Sequence, residues 1–368
     1  MYKDYLDRSF LKIETAFMIL KRGGYILIND KKGNAALMKA SEFSDLDDGI
    51  LKNYAKNKIL CLTSLHLKSF GKKINNDYDC YSFPANNLNI SEIVSMILGE
   101  KNNFLKNINF LGEKSNSLPD LSCKILKSAK LIPASILVRL NFKNPYEEEK
   151  FIKNFQIPNL NFSEILKTLN QNSIFLYKTT EAKLPLLNAP NAKIVMFRQS
   201  NGKEEHFAIV IGKINKNPPI VRIHSQCVTG DILSSLKCDC GNQLNESLKV
   251  MYEANSGILL YLAQEGRDIG LLNKIRAYAL QDNGLDTVEA NHRLGFETDE
   301  RVFTPAASML FALKVTKIKL LTNNPDKISQ LRKHKITVTE RIPLIINPTP
   351  YNKEYLNIKK TKTKHMME

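Results

Sequence analysis

Half of the six cysteines in this chain fall in one short segment, at Cys227, Cys238 and Cys240. Side chains two residues apart on an extended segment point to the same side, so Cys238 and Cys240 can bind one ion together. Cys227 would complete the set from the preceding turn. Three thiolates suit zinc, and a zinc ion with three protein ligands keeps a position open for water, as catalytic sites do. The spacing therefore predicts an open zinc site.

Two other interpretations of these cysteines compete with a metal site: buried small hydrophobic residues, or a disulfide. A bridge between residues two apart would be strained, and nothing in the sequence indicates an oxidising compartment. The second C-x2-C pair that a closed structural zinc finger would need does not occur in the sequence. The metal site is therefore the favoured hypothesis.

The chain of 368 residues is long enough for two domains with full cores. It has no apolar run of the roughly 18 residues that a membrane span requires. Its N-terminus mixes charged side chains such as Lys3, Asp4 and Asp7 into the apolar ones, unlike a secretory signal. We expect a cytoplasmic protein with reduced thiols and no membrane partner.

The formal charge of +16 and the pI of about 9.4 fit a nucleic-acid binder or an enzyme for a polyanionic small molecule. They also fit a protein that is rich in lysine and has these lysines dispersed over its solvent-exposed faces. Net charge alone therefore does not decide the partner. One lysine cluster lies in the C-terminal segment 347–368, which we predict to be a flexible basic tail.

Helix and strand patterns alternate along the first half, which predicts an α/β (α+β) domain over residues 1–142. Segments 13–21 and 121–129 are expected to be helical, and 25–28, 59–62 and 134–138 to be strands. From 143 to 181 the composition becomes polar, with Pro145 and an acidic run at Glu147, so this segment is expected to be a linker.

The second domain, expected over residues 182–346, starts with two strands, 194–197 and 206–211, joined by a turn at Gly202. Further strands are predicted at 220–223, 258–262 and 318–321. The last two run into a glycine loop with Arg267 and into a helix start with Lys327. Helix N-termini present free amides, so both places are candidate anion sites. The polar segment 286–301 has groups for proton and phosphate chemistry, or is an ordinary solvated loop.

The first half resembles a 3,4-dihydroxy-2-butanone 4-phosphate synthase domain. The resemblance rests on the helix, Gly23-Gly24, strand 25–28 and Asp30, and on the segments 119–121 and 131–135. That family has an acidic loop after the first strand that holds magnesium, whereas the loop here has one acid and two lysines, which repel the ion. The family's histidine-threonine-glutamate signature is replaced by residues 116–119. We expect a retained fold without synthase activity, in a structural, dimerising or regulatory role.

The second half resembles GTP cyclohydrolase II, and the resemblance is collinear from about residue 182 to 343. It is carried by the segments 222–231, 237–244, 264–282, 286–296 and 320–327. The resemblance implies a mixed-sheet domain in a homodimer. The implied reaction is the hydrolysis of GTP to formate, pyrophosphate and 2,5-diamino-6-ribosylamino-4(3H)-pyrimidinone 5′-phosphate, which opens riboflavin biosynthesis.

The resemblance also implies roles for individual residues. The zinc ligands are Cys227, Cys238 and Cys240, with one ion per subunit, and magnesium accompanies the triphosphate. Asp299 is implied as proton acceptor, Arg301 as nucleophile toward the α-phosphate, and Tyr278 as a residue lining the site. The implied nucleotide contacts are Arg222, Ile223, His224, Ser225, Gln226, Gln243, Glu265, Gly266, Arg267, Thr287, Thr322 and Lys327.

The roles implied for Arg301 and Gln226 depend on the charge of each side chain. An arginine is normally protonated, so electrostatic stabilisation by Arg301 is as good a physical interpretation as nucleophilic attack. Gln226 stands where the family usually has glutamate, which removes a charge beside the first zinc ligand. The thiols, Asp299 and Arg301 are all present, so we favour an active enzyme.

Two functions of other classes compete with this one. A zinc-containing nucleic-acid-binding protein would fit the basic pI, and predicts salt-dependent binding to oligonucleotides. The chain has no tryptophan, and it has more loops of the catalytic type than such a module needs. A non-catalytic GTP-binding scaffold would fit the altered first domain and Gln226.

Overall fold

The computed structural model of the chain describes residues 8–43, 57–86, 90–99, 108–169, 176–200, 202, 204–214, 217–346, 349–351 and 366. The predicted basic tail lies almost wholly outside these residues, and the predicted turn at Gly202 lies partly outside them. None of the helices within the described residues has the length and apolar content needed to cross a membrane.

The helices are α1 Arg8–Lys21, α2 Ser64–Ser69, α3 Ile90–Ile97, α4 Leu118–Ser128, α5 Pro145–Phe155, α6 Phe162–Leu169, α7 Cys240–Glu253, α8 Leu271–Asp282, α9 Thr287–Arg293, α10 Thr304–Ala312 and α11 Pro325–Lys333. The strands are β1 Ile26–Asn29, β2 Ala35–Ala40, β3 Lys58–Thr63, β4 Cys80–Pro84, β5 Leu111–Glu113, β6 Ser135–Leu140, β7 Asn159–Leu160, β8 Leu176–Lys183, β9 Ala192–Gln199, β10 His206–Gly212, β11 Ile220–Ser225, β12 Ser256–Leu262, β13 Lys317–Leu321 and β14 Thr337–Ile342.

These elements form two compact units that are not continuous in sequence. The first comprises Met1–Gln171 and Leu272–Asp299, and the second comprises Asn172–Leu271 and Glu300–Glu368. Each has its own seven-stranded sheet. The predicted α/β (α+β) class is confirmed. The predicted second domain of 182–346 differs from the second unit, because 272–299 clusters with the first.

The sheet of the first unit has the order β5-β4-β3-β6-β2-β1-β7 and is antiparallel except where β1 pairs with β7. Buried apolar side chains of α1 and α4, including Leu20 and Leu121, pack on it. The β1–β2 turn is closed by Asp30, whose Oδ1 accepts from the amides of Lys32 and Asn34. Its Oδ2 accepts from the Asn34 side chain at 2.8 Å. The single acid of this loop therefore serves the turn itself.

The segment 143–181, expected to be a linker, is instead structured over most of its described length. The Asn144 side chain accepts from the Glu147 amide and Pro145 occupies the first turn of α5, so the acidic run is a helix start that the N-terminal dipole stabilises. β7 then pairs with β1, and β8 already belongs to the second sheet. The linker prediction over this segment is therefore wrong, because Asn144, Pro145 and the acidic run are the N-terminal signals of a helix.

The sheet of the second unit has the order β14-β13-β11-β12-β10-β9-β8. β14, β13, β11 and β12 run parallel, and the remaining pairs are antiparallel, which gives the predicted mixed sheet. One face packs on α10 and α11 through residues such as Leu310 and Leu331. The other packs on α7 through Leu248 and Met251. A sheet covered on both faces leaves its strand ends as the place for a site.

Candidate metal and nucleotide site

The site of the second unit lies where the carboxyl ends of β11 and β13 meet. From β11 the chain passes through α7 to β12 on one side, whereas from β13 it passes through α11 to β14 on the other side. Open α/β sheets bind ligands in the crevice that forms where neighbouring connections diverge in this way. The sheet order therefore places the predicted groups after both strands at one edge.

The three predicted thiols converge at this edge. Cys227 follows β11 and begins a single turn of π-helix, and Cys240 is the first residue of α7. The Sγ atoms of Cys227, Cys238 and Cys240 all lie within 4.8 Å of one another, and those of Cys227 and Cys238 are 3.7 Å apart. This confirms that the spacing brings the three side chains together.

The thiol cluster fits a soft divalent cation. Hydrogen bonding to Cys227 raises the pKa of Cys238 and of Cys240, and burial of the sulfurs raises both further. Three thiolates packed this closely need a positive charge to stabilise them, and zinc is the ion that three thiolates favour. The donor set therefore agrees with the predicted ion.

Gly230 is the residue that allows the thiols to approach. A Cβ at this position would lie 2.7 Å from Cys238 Sγ and 3.1 Å from Cys227 Sγ. The Gly230 amide also donates to Cys227 Sγ at 3.3 Å. Only a residue without a side chain fits between these sulfurs.

Asp231 holds the turn that carries Cys227. Its carboxylate accepts from the backbone amide of Cys227 at 3.0 Å and from the Tyr261 hydroxyl at 2.8 Å. His224 Nε2 lies 3.1 Å from both carboxylate oxygens. Burial lowers the pKa of His224, and burial with the adjacent carboxylate raises the pKa of Tyr261, so both groups are neutral at pH 7. Asp231 is thus a buried acceptor for three donors.

Arg222 lies on β11, on the same face of the sheet as His224. It donates to the Leu321 carbonyl at 3.1 Å and to the Gln243 side chain, whose amide nitrogen donates to Asp239 at 2.6 Å. Burial lowers the pKa of Arg222 to about 10, which leaves it charged at pH 7. Arg222 Nε and His224 Nδ1 are buried without a hydrogen-bond partner among the described residues.

The loop after β12 approaches the cysteine turn. Glu265 is buried and its carboxylate accepts from the Val228 amide at 2.7 Å. Gly266, Arg267 and Asp268 follow with φ of +62°, +58° and +75°. Consecutive left-handed residues other than glycine are strained, and such strain is concentrated at functional loops. The predicted glycine loop is therefore a fixed turn beside the thiol segment.

Lysine and arginine side chains bridge the two strand ends. Lys327 of α11 is buried and donates to the Ile223 carbonyl at 2.8 Å, and its Nζ lies 5.4 Å from the centre of the Phe303 ring. Arg301 donates to the Ser225 hydroxyl at 3.3 Å. Thr322 is buried at the end of β13, where its hydroxyl accepts from the Asn324 amide at 3.1 Å. Three cations, including Arg222, therefore gather at this edge.

The other predicted residues lie in the second sheet, in the segment after β11, or in the first unit. Ile223 points into the sheet core, and Gln226 is half-buried with its backbone N–H donating to the Leu262 carbonyl at 2.8 Å. Tyr278, Thr287 and Asp299 belong to the first unit. Tyr278 lies on α8 with Lys274 Nζ 5.8 Å from its ring centre, and Thr287 begins α9.

The sequence prediction missed Tyr261 and Asp239 and assigned no role to Asp231. Tyr261 lies in an apolar strand, where it resembles a core residue. Asp231 stands four residues after a cysteine, and only a turn that folds back could place its carboxylate on that cysteine's amide. No sequence signal marks Asp239, whose burial and hydrogen bond from Gln243 appear only in the structure.

A thiol cluster beside a sheet edge lined with cations is typical of a metal-dependent enzyme for an anionic substrate. The model of the family GTP cyclohydrolase II matches residues 177–343. The GTP cyclohydrolase-2 of Blochmanniella pennsylvanica is 52% identical over 192 residues, which are 52% of this chain and 96% of that protein. That of Hamiltonella defensa is 50% identical over 196 residues, 52% of this chain and 98% of that protein. The chain belongs to the GTP cyclohydrolase II family of enzymes.

Two further comparisons are weaker in coverage or in structural similarity. The GTP cyclohydrolase-2 of Azospirillum brasilense is 49% identical over 192 residues, and the chain spans 50% of its length. The crystal structure of RibBX, a two-domain 3,4-dihydroxy-2-butanone 4-phosphate synthase from A. baumannii, aligns with 13% identity over 91% of this chain and 99% of that one. Its TM-score of 0.35 supports no inference about fold, so the resemblance of the first half stays a prediction.

We predict that Gly230→Ala weakens metal binding. The new methyl group would displace Cys238 Sγ or Cys227 Sγ, and overpacking of this kind costs about 1–3 kcal/mol, or roughly 5- to 150-fold in affinity. Competition with a chromophoric zinc chelator measures the change. Ile232→Ala, at an exposed position of the same turn, is the control and should bind metal normally. Unchanged affinity in Gly230→Ala would show that the sulfurs do not share an ion.

We also predict that Asp231→Asn lowers zinc affinity by about 10- to 100-fold, the usual effect of removing a group that orients a metal ligand. Its amide nitrogen would face the donors that the carboxylate accepts. The same chelator competition applies, with the exposed Asp326→Asn as the control. Equal affinities for the two variants would rule out a role for Asp231 in holding the Cys227 turn.

Proposed function

We propose that this protein hydrolyses GTP to formate, pyrophosphate and 2,5-diamino-6-ribosylamino-4(3H)-pyrimidinone 5′-phosphate, the first step of riboflavin biosynthesis. The observation that carries the proposal is the three-thiol cluster at the same sheet edge as Arg222, Arg301 and Lys327. Membership of the GTP cyclohydrolase II family supports it.

The thiols of Cys227, Cys238 and Cys240 would hold one zinc ion per subunit. When bound, such an ion supplies a Lewis acid that lowers the pKa of water to about 7, which suits addition of water to C8 of guanine. Asp231 and Gly230 keep the thiols in place, the first by accepting from the Cys227 amide and the second by leaving room.

The cations at the strand ends would bind the triphosphate. Arg222 stays charged although buried, and Lys327 and Arg301 donate to Ile223 and Ser225 near the end of β11. Charges fixed in this way act without reorganisation, which is how enzymes stabilise the charge that develops on phosphate oxygens. We propose magnesium as a further counter-ion of the triphosphate, with Arg267, Thr322 and the Nε–H of Arg222, which has no partner among the described residues, as additional contacts.

We propose that Arg301 stabilises the phosphate charge electrostatically and does not act as a nucleophile. A guanidinium stays protonated in proteins and has no lone pair for attack, whereas it donates well to phosphate oxygens. Its donation to Ser225 places the guanidinium at the end of β11. We propose Asp299 as proton acceptor and Tyr278 as a residue lining the site, on the resemblance of their segments to the family.

The remaining nucleotide contacts are also proposed on the resemblance of their segments to the family. Seven residues would present backbone or side-chain groups to the nucleotide: Ile223, Ser225, Gln226, Gln243, Glu265, Gly266 and Thr287. Gln226 lacks the charge of the family's glutamate, so we assign it hydrogen bonding and no proton transfer. We propose a cytoplasmic homodimer that binds neither nucleic acid nor membrane.

The proposed activity predicts formate release from GTP by purified protein with zinc and magnesium. Cys238→Ser should abolish it, because loss of one thiolate removes the ion. Formate, the pyrimidine chromophore and bound zinc are measured together. Cys123→Ser, in the first unit and outside the cluster, is the matched control and should retain turnover.

The outcomes separate the candidate functions. Full zinc content without formate release would contradict the proposed enzymatic activity and favour a GTP-binding scaffold. A fully active, zinc-free Cys238→Ser would contradict the metal assignment. Oligonucleotide binding that falls steeply with salt, without turnover, would favour the nucleic-acid-binding function.

We predict that the first unit has no synthase activity. Ribulose 5-phosphate with magnesium should yield no dihydroxybutanone phosphate, because Asp30 is engaged by its own turn and is flanked by lysines that repel the ion. An authentic synthase assayed in parallel is the positive control. Product formation by this protein at a comparable rate would overturn the prediction.

A further inference from the structure

The segment 272–299, which carries Tyr278, Thr287 and Asp299, packs within the first unit. It lies inside the region that the family model matches, whereas its packing partners lie outside that region, before residue 177. The H. defensa relative is matched over 98% of its own length by 52% of this chain. In this chain, therefore, part of the family region folds against a half that this relative does not share.

The contact of α8 with the first half is polar and buried. Asn273 is wholly buried, and its side chain donates to the Lys130 carbonyl at 2.8 Å. Arg276 pairs with Glu42 at 2.6 Å, where the Glu42 side chain is only 4% exposed. The other oxygen of Glu42 accepts from the Ile132 amide at 3.2 Å. Glu42 thus fixes α8 to the turn that precedes β6.

The contact of α9 is close as well as polar. His66 of α2 is fully buried, and burial lowers its pKa to about 3, so it is neutral. Its ring lies against Gly295, where a Cβ would be 2.0 Å from His66 Cε1. Thr63 donates to the Gly295 carbonyl at 3.2 Å, and Arg293 donates to the Ser69 carbonyl at 3.1 Å. Both ends of the helix pair are therefore fixed on the first half.

We propose that the first half of the chain positions the helix pair α8–α9 for GTP turnover, with Glu42 as a positioning residue. The inference rests on the proposed function, which gives Tyr278 and Asp299 their roles in catalysis. Misplacement of a catalytic group by about 1 Å can cost about 100-fold in rate. The first half would then contribute to the chemistry even without an activity of its own.

The test compares Glu42→Ala, Glu42→Gln and the control Glu149→Ala in the full chain. Glu149 is an acid of the same half with a 63% exposed side chain, which pairs with Lys153 one helical turn away. For each protein, kcat and KM for GTP, bound zinc, and hydrogen exchange of the α8 and α9 peptides are measured. Exchange and zinc content report on packing and on the metal site independently of turnover.

We expect Glu42→Ala to speed exchange in α8 and to lower kcat by about tenfold or more, with zinc content unchanged and KM within about threefold. Glu42→Gln keeps an acceptor for the Ile132 amide and for Arg276, so it should recover most of kcat. Glu149→Ala should match the wild type in every measurement.

Wild-type kcat in Glu42→Ala, with α8 exchange raised, would overturn this inference and leave the proposed function standing. Unchanged exchange in α8 would also overturn it, since the contact would then hold nothing in place. Absence of formate from the zinc-loaded wild type would instead contradict the proposed function, and this inference would fall with it.

Discussion

The crowding of three thiols at one strand end is the constraint on which the rest of the second unit depends. Cys227, Cys238 and Cys240 converge only because Gly230 leaves space between the sulfurs and Asp231 ties the turn back to the Cys227 amide. Hydrogen bonding to Cys227 raises the pKa of Cys238 and of Cys240, so thiolates at these positions need a nearby cation to stabilise them. The packing of the turn therefore brings together three thiols that a shared cation would stabilise.

The same edge of the sheet gathers positive charge. Arg222 is buried on β11 and Lys327 reaches the backbone of that strand from α11. Buried cations are costly unless paired or hydrogen-bonded. Here they donate to carbonyls and side-chain oxygens, which leaves them in fixed positions for an anion. The divergence of the strand connections places the thiol cluster and these cations at one crevice.

Most strands and helices of the second unit could be predicted because their apolar runs end at glycine, proline or capping residues. The thiol cluster could be predicted from spacing alone, and the family from five collinear segments. β2 was missed because Lys39, 1% exposed, interrupts its apolar pattern, and α5 because its acidic first turn resembles a loop. The packing of segment 272–299 depends on contacts such as Arg276 with Glu42, far apart in sequence, which no local pattern encodes.

The function proposed above requires that three cysteines hold one zinc ion and leave a position for a lighter ligand. X-ray absorption at the zinc edge of the purified protein measures the number and kind of ligands. We expect three sulfur neighbours at about 2.3 Å and one oxygen or nitrogen at about 2.0–2.1 Å. Four sulfur neighbours, or a shell of oxygen and nitrogen alone, would contradict it.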